Sequence, residues 1–447
     1  MVLLPVAPSS RQLTIRKSNR EVHRVRDYIN RYADLWLEEM LPYIKAISIE
    51  GAKGVGKTRT AEQHANTIYR MDQRGVRESI EAEFELLHEG PFPTLVDEWQ
   101  YLPEVWDSVR RMVDGGMPPG SIIMTGSRQS NNLSLHSGAG RIVSHRMRPL
   151  SLAERYPHTE KLTLKNCFAD KTPDQFQLTS TVTFSDYMQE IVKTGFPDIN
   201  AAPDFIRDNL IDSYIDSIAT REFKAQGITL RQPEALIRWM RAYAAATGTT
   251  TSYNKILDAA TPGESDKPSR KTTIAYREAL SSLWLLDDLP YWGEGEGFFG
   301  RLKQTSKHYL ADPGLEARLL GLRAQDLIRG EGETIHDSEY GSIAGRLFES
   351  LCVLSVRAYA SQIGARTYFM RNAKGTREID LVIEKDRKLV IAEIKLGISV
   401  SNNDVRHLNW FEDKLGSRVK EKIILTTGNR AYRRKDGVLV VPAVLFG

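Results

Sequence analysis

Two carboxylates and a lysine interrupt a stretch near the end of the chain that otherwise reads as a buried hairpin. The alternating runs EIDLVIE and KLVIAEIKL flank the polar turn KDRK, a pattern that predicts two antiparallel strands. With Asp386 and Arg387 at the tip of the turn, Asp380 lies directly opposite Glu393, and such partners have Cβ atoms about 4.5–5.5 Å apart. Two carboxylates that close repel each other unless a cation lies between them.

A divalent metal is the cation that this pattern favours. Lys395 follows Glu393 by two residues and therefore shares its face of the strand. Upstream, Glu349 lies on a strongly apolar predicted helix and shares a face with residues such as Val353, where an acid needs a partner. Hard ions such as Mg²⁺ prefer carboxylate oxygens and activate water for attack on a phosphodiester. Glu349, Asp380 and Glu393 are the predicted metal ligands, and Lys395 is a catalytic candidate that stabilises charge.

A second group of residues with chemical potential is the run GAKGVGKT, which fits the phosphate-binding pattern G-x-x-x-x-G-K-[ST]. It lies between a strand-like run and a predicted helix, which is the context that this loop requires. Gly51, Gly54 and Gly56 let the backbone turn tightly and direct N–H groups at phosphates. Lys57 is predicted to pair with the β- and γ-phosphates of ATP, and the Thr58 hydroxyl to bind Mg²⁺. A glycine-rich turn formed by chance is the alternative interpretation.

An acidic pair ends the later apolar run TLVDEW, where a P-loop protein needs one. Asp97 is predicted to hold the magnesium through water, and Glu98 to polarise the water that attacks ATP. A third apolar run, SIIMTGSR, ends in Thr125 and Ser127. These two residues are predicted either to contact the γ-phosphate and the attacking water or simply to cap the strand.

Arg128 and Arg141 are candidates for an arginine finger, which stabilises charge on the transferred phosphate. Such a finger acts within one chain or reaches across to a neighbouring subunit of a homo-oligomer. Of the two, Arg141 is the predicted catalytic residue. The alternative is that both are ordinary surface arginines without this role.

Strands and helices alternate between Ala46 and Gly126, which predicts an α/β domain with a mostly parallel sheet. Helical periodicity dominates from about Phe184 to Leu286, and three short helices followed by the strand-like run LLDDLPYW predict a winged-helix module. The last section is predicted to contain one long helix, three strands, a second helix and a further strand. The two candidate sites therefore lie in two α/β units joined by a helical region.

Composition sets broad limits on the class of protein. The 447 residues suggest about three domains, and 41% hydrophobic with 26% charged residues is ordinary for a soluble globular protein. A net charge of +4 permits a nucleic-acid partner without requiring one. The two cysteines imply neither a disulfide framework nor a zinc site, so a cytoplasmic location is expected. We also expect no signal peptide, no transmembrane segment and no membrane partner.

The N-terminal stretch at residues 11–31 is strongly basic, with seven Arg or Lys against two acids. Such a run is more typical of a solvated helix face or a flexible arm than of a nucleic-acid contact. We therefore assign it to a separate N-terminal segment.

Taken together, these motifs resemble the AAA-type ATPase domain of a large bacterial and archaeal family. The resemblance is carried by GAKGVGKT, LVDEWQYLPEVWDSVRRMVD, IIMTGSR, SGAGRI and RPLSLAE, and further along by TGFPD, TTIAYREALSSLWLLDDLP and KHYLADPGL. In that family the ATPase domain is joined to a C-terminal domain of unknown function. The resemblance implies ATP binding, a winged-helix-like insert and a C-terminal αβββαβ fold related to restriction endonucleases. Glu349, Asp380, Glu393 and Lys395 stand at the positions of the E…D…E-x-K signature of that fold.

The resulting domain plan has four parts. It consists of a basic N-terminal segment at 1–40, an AAA-type P-loop ATPase domain at 41–160, a helical region at 161–300 with the winged-helix-like module at about 233–292, and a restriction-endonuclease-like domain at 301–447.

Two functions are consistent with this plan, both with ATP and Mg²⁺ as cofactors. The first is an ATP-dependent machine that contacts DNA or RNA through the winged helix and binds or cuts it at the C-terminal site. Lys255, Arg270, Lys271 and Arg277 favour phosphate contacts, although nearby acids dilute their charge. The second is a nucleotide-dependent switch that binds a protein partner and carries a non-catalytic, nuclease-like scaffold.

Overall fold

The structure is a computed structural model. It describes residues 28–128, 139–169, 172, 177–228, 230, 232–261, 270–293, 305–332, 338–372 and 376–447. Most of the basic stretch at 11–31 lies outside this part of the chain. Of the helices within it, none is both long and apolar enough to cross a lipid bilayer.

The first α/β unit is built on a five-stranded parallel sheet of order β2-β3-β4-β1-β5, as the alternation of strands and helices predicted. Strands β1, β3 and β4 are buried along their whole length, which is why they read as continuous apolar runs. Parallel strands bring their C-terminal ends to one edge, the usual place for a ligand. Its elements are α1 (Tyr32–Met40), β1 (Ala46–Glu50), α2 (Lys57–His64), β2 (Thr67–Arg70), α3 (Arg74–Ala82), β3 (Thr94–Asp97), α4 (Glu104–Asp114), β4 (Ile122–Gly126), β5 (Ile142–Arg146), α5 (Leu152–Arg155) and α6 (Leu164–Phe168).

The middle region is helical, as predicted. Its elements are α7 (Phe184–Lys193), α8 (Pro197–Asn200), α9 (Asp204–Ser217), α10 (Phe223–Ala225), α11 (Pro233–Ala245), α12 (Tyr253–Ala260) and α13 (Arg270–Ser282). After α13, Leu286 and Leu289 form antiparallel bridges with Leu310 and Lys307. Three short helices are thus followed by a short antiparallel pair that reaches into the next unit.

The C-terminal unit holds a six-stranded sheet of order β10-β11-β9-β8-β7-β6. The predicted sequence of a long helix, three strands, a helix and a strand is present, and two further short strands follow it. Its elements are α14 (Pro313–Leu319), α15 (Ala324–Gly332), α16 (Ser338–Gln362), β6 (Arg366–Arg371), β7 (Glu378–Lys385), β8 (Lys388–Lys395), α17 (Asn402–Leu415), β9 (Val419–Thr426), β10 (Tyr432–Arg433) and β11 (Leu439–Pro442).

The hairpin of β7 and β8 has the register that the sequence predicted. Leu381 pairs with Ala392, and the pairs continue in step to the turn. The two residues at the tip have φ angles of 50° and 64°, the left-handed pair that a two-residue hairpin turn requires. One step further from the turn, the same register sets Asp380 opposite Glu393.

Hydrophobic packing joins the units into one body. One apolar core combines residues 152–191 with α16 and the C-terminal sheet, and Leu162 donates its N–H to the carbonyl oxygen of Leu445 at 2.8 Å. A second core combines α1, the parallel sheet and the middle helices. Core residues therefore lie on both sides of the predicted domain divisions.

Glu316 is a buried acid at the centre of this body. Its side chain is fully buried on α14, and its Oε1 accepts the N–H of Leu310 at 2.8 Å. Burial raises the pKa of Glu316 from 4.5 to about 8. In the folded protein the carboxyl group of Glu316 stays neutral up to about pH 8, whereas in the unfolded chain it ionises above about pH 4.5.

We expect Glu316 to make the folded protein less stable as the pH rises. Between about pH 4.5 and 8 the folded state binds more protons than the unfolded state. The contribution of Glu316 to the free energy of unfolding is therefore complete below this window and is lost as the pH rises across it. Glu316→Gln keeps the shape without the titration, so its free energy of unfolding should depend less on pH. Denaturant unfolding of both proteins across this window measures the difference. Glu234→Gln, at an exposed position, is the control and should show the pH dependence of the wild type. The expectation would be contradicted if the free energy of unfolding of Glu316→Gln varied with pH in parallel with that of the wild type.

Candidate functional site

The glycine-rich loop lies between β1 and α2, at the C-terminal edge of the parallel sheet. Gly54 and Gly56 have φ angles of 83° and 99°, in the region that favours glycine. At Gly51 a Cβ atom would lie 2.2 Å from the carbonyl oxygen of Met147, so a side chain cannot be accommodated. The loop is therefore a tight backbone turn that leads into a helix N-terminus, the arrangement that binds phosphate.

Lys57 begins the helix and is buried, with 4% of its surface exposed. Its Nζ donates to the carbonyl oxygens of Gly51 and Ala52, each at 3.0 Å. Burial lowers the pKa of Lys57 to about 8, although Glu98 and Asp97 oppose that shift. A desolvated ammonium with only neutral acceptors gains strongly from phosphate oxygens.

Thr58 and Asp97 are brought together, as a magnesium site requires. The Thr58 hydroxyl donates to Asp97 Oδ1 at 2.6 Å, and the Thr125 hydroxyl donates to the same oxygen at 2.6 Å. Arg70, which sequence reasoning missed, lies 3.6 Å from the second oxygen of Asp97. A hydroxyl and a carboxylate are the hard oxygen donors that Mg²⁺ prefers, so these residues fit the ion.

Glu98 stands next to this pair in a left-handed conformation, with φ of 54°. Its backbone N–H donates to the Thr125 hydroxyl at 3.1 Å, and its Oε2 accepts the Ser127 hydroxyl at 3.1 Å. The Gln100 side chain donates to the same carboxylate oxygen. Thr125 and Ser127 therefore hold the acidic pair in place. Gln100 was missed, although its position two residues after Glu98 was a usable signal.

The structure does not bring Arg141 to this site. It precedes β5, at the N-terminal edge of the sheet, and its Nε lies 2.8 Å from Asp114 Oδ1. Since the glycine-rich loop follows the opposite ends of the strands, Arg141 cannot serve as a finger within its own chain. Arg128 follows β4 at the correct edge, and its Nη1 donates to the carbonyl oxygen of Ala225 at 2.9 Å.

Arg31 is a buried support of the loop that sequence reasoning placed in a solvated arm. Its side chain is 4% exposed, its Nη1 donates to the carbonyl oxygen of Val55 at 2.8 Å, and its Nε pairs with Glu154 at 3.0 Å. The basic run around it hid this role, because charge density alone does not show which arginine is buried. The interpretation of residues 11–31 as a solvated face or flexible arm is therefore wrong for Arg31.

The C-terminal carboxylates surround a lysine that sequence reasoning also missed. Lys307 Nζ lies 2.9 Å from Glu349 Oε1, 2.7 Å from Glu378 Oε1 and 3.3 Å from Asp380 Oδ1. The Tyr309 hydroxyl donates to the same oxygen of Glu349 at 2.5 Å. Burial alone would lower the pKa of Lys307, but these acids hold it well above its ordinary value. The ammonium therefore stays charged.

The pKa values of Asp380 and Glu393 shift in opposite directions although the two residues face each other. Burial would raise the pKa of Asp380, but the Lys307 ammonium and the N–H of Ile394, at 3.0 Å, hold it below its ordinary value. Burial, with Asp380 next, raises the pKa of Glu393 well above its ordinary value. Among the described residues its Oε1 has no hydrogen-bond partner, and His407 Nδ1 lies 3.9 Å from it. Lys395 Nζ lies 3.3 Å from Glu393 Oε2. The structure therefore brings Asp380, Glu393 and Lys395 together, as the hairpin register predicted.

These residues do not fit a divalent metal as they are arranged. Lys307 takes the contacts of Glu349 and Asp380, and burial raises the pKa of Glu393, which disfavours the ionised form that a metal ligand needs. Among the residues that the structure describes, no group of three or more His, Cys, Asp and Glu side chains is arranged to hold a metal ion. An open polar cavity of 540 Å³ lies beside Lys307, lined also by Lys255, Arg371 and the threonines of residues 249–251.

Three family models match successive parts of the chain. Residues 44–156 match the AAA domain, residues 184–326 match one domain of unknown function and residues 344–446 match another. The AAA match agrees with the parallel sheet and with the glycine-rich loop at its C-terminal edge. This part of the chain therefore resembles an AAA domain in sequence and has the parallel sheet and glycine-rich loop of a P-loop domain.

Comparisons with whole proteins add little to this. No curated protein gives a significant match. Among solved structures, a Walker-type ATPase of Pyrococcus abyssi is similar at 16% identity over 68% of this chain and 99% of that one, with a TM-score of 0.41. Protein VC1899 of Vibrio cholerae is similar at 11% identity over 90% and 95% of the two chains, with a TM-score of 0.18. At TM-scores below 0.5, neither likeness establishes a shared fold.

Proposed function

We propose that the protein binds ATP with Mg²⁺ at its glycine-rich loop and hydrolyses it. The observation that carries this proposal is the contact of Thr58 with Asp97 at 2.6 Å, beside the buried Lys57. Lys57 binds the β- and γ-phosphates, and Thr58 and Asp97 hold the ion. Glu98, fixed by Ser127, orients the attacking water. Bound Mg²⁺ neutralises charge on the phosphate oxygens.

Equilibrium binding of ATP to the purified protein, with Mg²⁺ or with EDTA, tests this assignment. Mg²⁺ should tighten the binding of ATP, and Thr58→Val should remove that gain while leaving part of the affinity. Equal affinity with and without Mg²⁺ would contradict the role of Thr58 and Asp97.

We also propose that the nucleotide site is coupled to the rest of the chain through Asp287. This carboxylate is 4% exposed and lies 2.7 Å from Arg146 Nη1, 2.7 Å from Arg148 Nε and 3.0 Å from Arg357 Nη1. Burial opposes its ionisation, but the three arginines hold the pKa of Asp287 below its ordinary value. Arg146 ends β5, next to the loop, whereas Arg357 lies on α16 of the C-terminal unit. A movement of the glycine-rich loop that displaces Arg146 would therefore change the ion pairs of Asp287 in the middle region and of Arg357 in the C-terminal unit.

The middle region is proposed to be a winged helix that contacts nucleic acid. Helices α11, α12 and α13 and the antiparallel pair after them support this assignment. Lys255 and Lys271 are exposed, and the Arg277 guanidinium stacks 4.8 Å above the Tyr253 ring. Of the three acids near these residues, Asp287 is buried among arginines and Asp288 accepts hydrogen bonds from the hydroxyls of two tyrosines, whereas Glu278 is exposed. Glu278 therefore still offsets part of the positive charge.

Salt dependence tests the nucleic-acid proposal. The affinity for duplex DNA should fall steeply with salt, and Lys255→Ala/Lys271→Ala should lower the slope of log K against log salt by about two. Lys388→Ala, at the exposed first residue of β8, should leave the slope unchanged. Binding measured by fluorescence anisotropy at several salt concentrations decides this. Affinity that is weak and insensitive to salt would contradict it.

The second candidate function is a nucleotide-dependent switch that binds a protein partner and carries a non-catalytic domain of restriction-endonuclease-like fold. The ammonium of Lys307 among the C-terminal carboxylates favours it, since that arrangement leaves no place for the metal of a nuclease. Labelled DNA and RNA incubated with ATP and Mg²⁺ or Mn²⁺ separate the two functions. Cleavage that Asp380→Ala abolishes, with ATP hydrolysis intact, would support a nuclease, whereas absence of cleavage supports the switch.

A further inference from the structure

We propose that Lys307 is a built-in cation that takes the place of a divalent metal in the C-terminal carboxylate site. The site would then work as a binding or structural centre that needs no metal. This inference goes beyond the ATPase proposal and does not depend on it, because it concerns only the C-terminal unit and the segment that delivers the lysine.

The ammonium of Lys307 contacts three carboxylates. Its Nζ donates hydrogen bonds to Glu349 Oε1 at 2.9 Å and to Asp380 Oδ1 at 3.3 Å, and it forms an ion pair with Glu378 Oε1 at 2.7 Å. These acids come from α16 and β7, so the lysine joins the helix and the sheet of the unit. A divalent ion in the same place would make the same connections through shorter bonds, of about 2.0–2.6 Å.

Lys307 is also held in position by its backbone and its surroundings. Its N–H donates to the carbonyl oxygen of Leu289 at 3.0 Å, and the N–H of Leu289 donates back at 2.9 Å. The side chain is 4% exposed, and Nζ lies 5.6 Å from the centroid of the Phe369 ring. A flexible surface lysine that contacts the acids only transiently would have neither this burial nor these backbone hydrogen bonds. The ammonium is therefore a resident part of the site.

The charges around the lysine explain why no metal is needed. Three carboxylates this close together would repel one another without a cation, and removing the buried ammonium would leave them unpaired, which is destabilising. Lys307 supplies that cation from within the chain. A metal would have to displace an ammonium whose effective concentration is high, because the backbone tethers it at the site.

Lys307→Met tests the exchange of lysine for metal. Without the ammonium, the variant should unfold several degrees below the wild type in EDTA, and Mn²⁺ or Ca²⁺ should restore much of that loss. Isothermal titration of the full chain without nucleotide should show one more equivalent of Mn²⁺ bound than the wild type binds. Adding Glu349→Gln to this variant should remove the extra equivalent and raise the midpoint in EDTA.

Lys422→Met is the matched control. Lys422 is a buried lysine of the same unit, but its Nζ contacts a single carboxylate, of Glu412, together with neutral oxygens of Asn409 and Asp436. This variant should lose stability without recovery by Mn²⁺. If Lys307→Met does not fold, the proposal is tested in the chain that keeps Lys307. There, Asp380→Asn should bind as much Mn²⁺ as the wild type. Mn²⁺ binding by the wild type that Asp380→Asn abolishes, or no cation-dependent recovery of a folded Lys307→Met, would overturn the proposal.

Discussion

Lys57→Ala is expected to abolish ATP hydrolysis and to weaken ATP binding at least about 100-fold. The ammonium of Lys57 is buried, and in the described part of the chain its hydrogen-bond partners are the carbonyl oxygens of Gly51 and Ala52, each at 3.0 Å. Phosphate oxygens would give it charged partners, and two charge-assisted hydrogen bonds of about 1.5–3 kcal/mol each account for that loss. Titration calorimetry with ATP and Mg²⁺ measures the affinity, and phosphate release measures the turnover.

Lys53→Ala is the control for this variant, because it removes the same charge from the same loop. Its ammonium is exposed and pairs with Glu222 at 3.0 Å, so ATP affinity should change only a few-fold. The free energy of unfolding of Lys57→Ala should not fall, because burial disfavours the ammonium that it removes. Unchanged ATP affinity in a folded Lys57→Ala would disprove the assigned phosphate site.

Glu98→Gln is expected to lower kcat for ATP about 10²–10⁴-fold while ATP affinity stays within a few-fold of the wild type. The carboxylate contributes to the chemical step by polarising water, and loss of a positioned general base has an effect of this size. The glutamine can still accept the hydrogen bond from Ser127, so the site should keep its shape. Single-turnover hydrolysis, together with equilibrium binding of ATP, separates the two effects.

Glu104→Gln is the matched control, since Glu104 is an exposed acid in the first turn of α4. Its kcat should equal that of the wild type. A Glu98→Gln protein with wild-type turnover would show that another group activates the water, and Glu98 would then be only a structural partner of Ser127 and Gln100.

The proposed nucleotide site was readable from the sequence because its signals are local. Gly51 to Thr58 are contiguous, and the loop geometry follows from where the glycines stand in that run. The acidic pair is defined by the end of a strand, and parallel strands place such ends at one edge of the sheet. The hairpin register was equally readable, because the turn fixes it and a shift of one residue would turn every side chain to the other face.

The cation of the C-terminal site was not readable in the same way. Lys307 lies far from Glu349 and Asp380 in the chain, and only the pairing of residue 307 with Leu289 brings it there. The predicted metal ligands therefore lacked their nearest partner. Arg141 shows the same limit, since its type suits a finger but its position just before β5 sets it at the wrong edge of the sheet to act within its own chain. Side-chain type predicts the chemistry, whereas three-dimensional packing decides which partner is within reach.

Release of inorganic phosphate from ATP by the purified full chain, with Mg²⁺ and with EDTA, is the most direct test of the proposed function. The arrangement of Lys57, Thr58, Asp97 and Glu98 predicts steady turnover with Mg²⁺ and none with EDTA. Absence of hydrolysis by a folded protein that binds ATP and Mg²⁺, with DNA, RNA or no addition, would contradict the proposed ATPase.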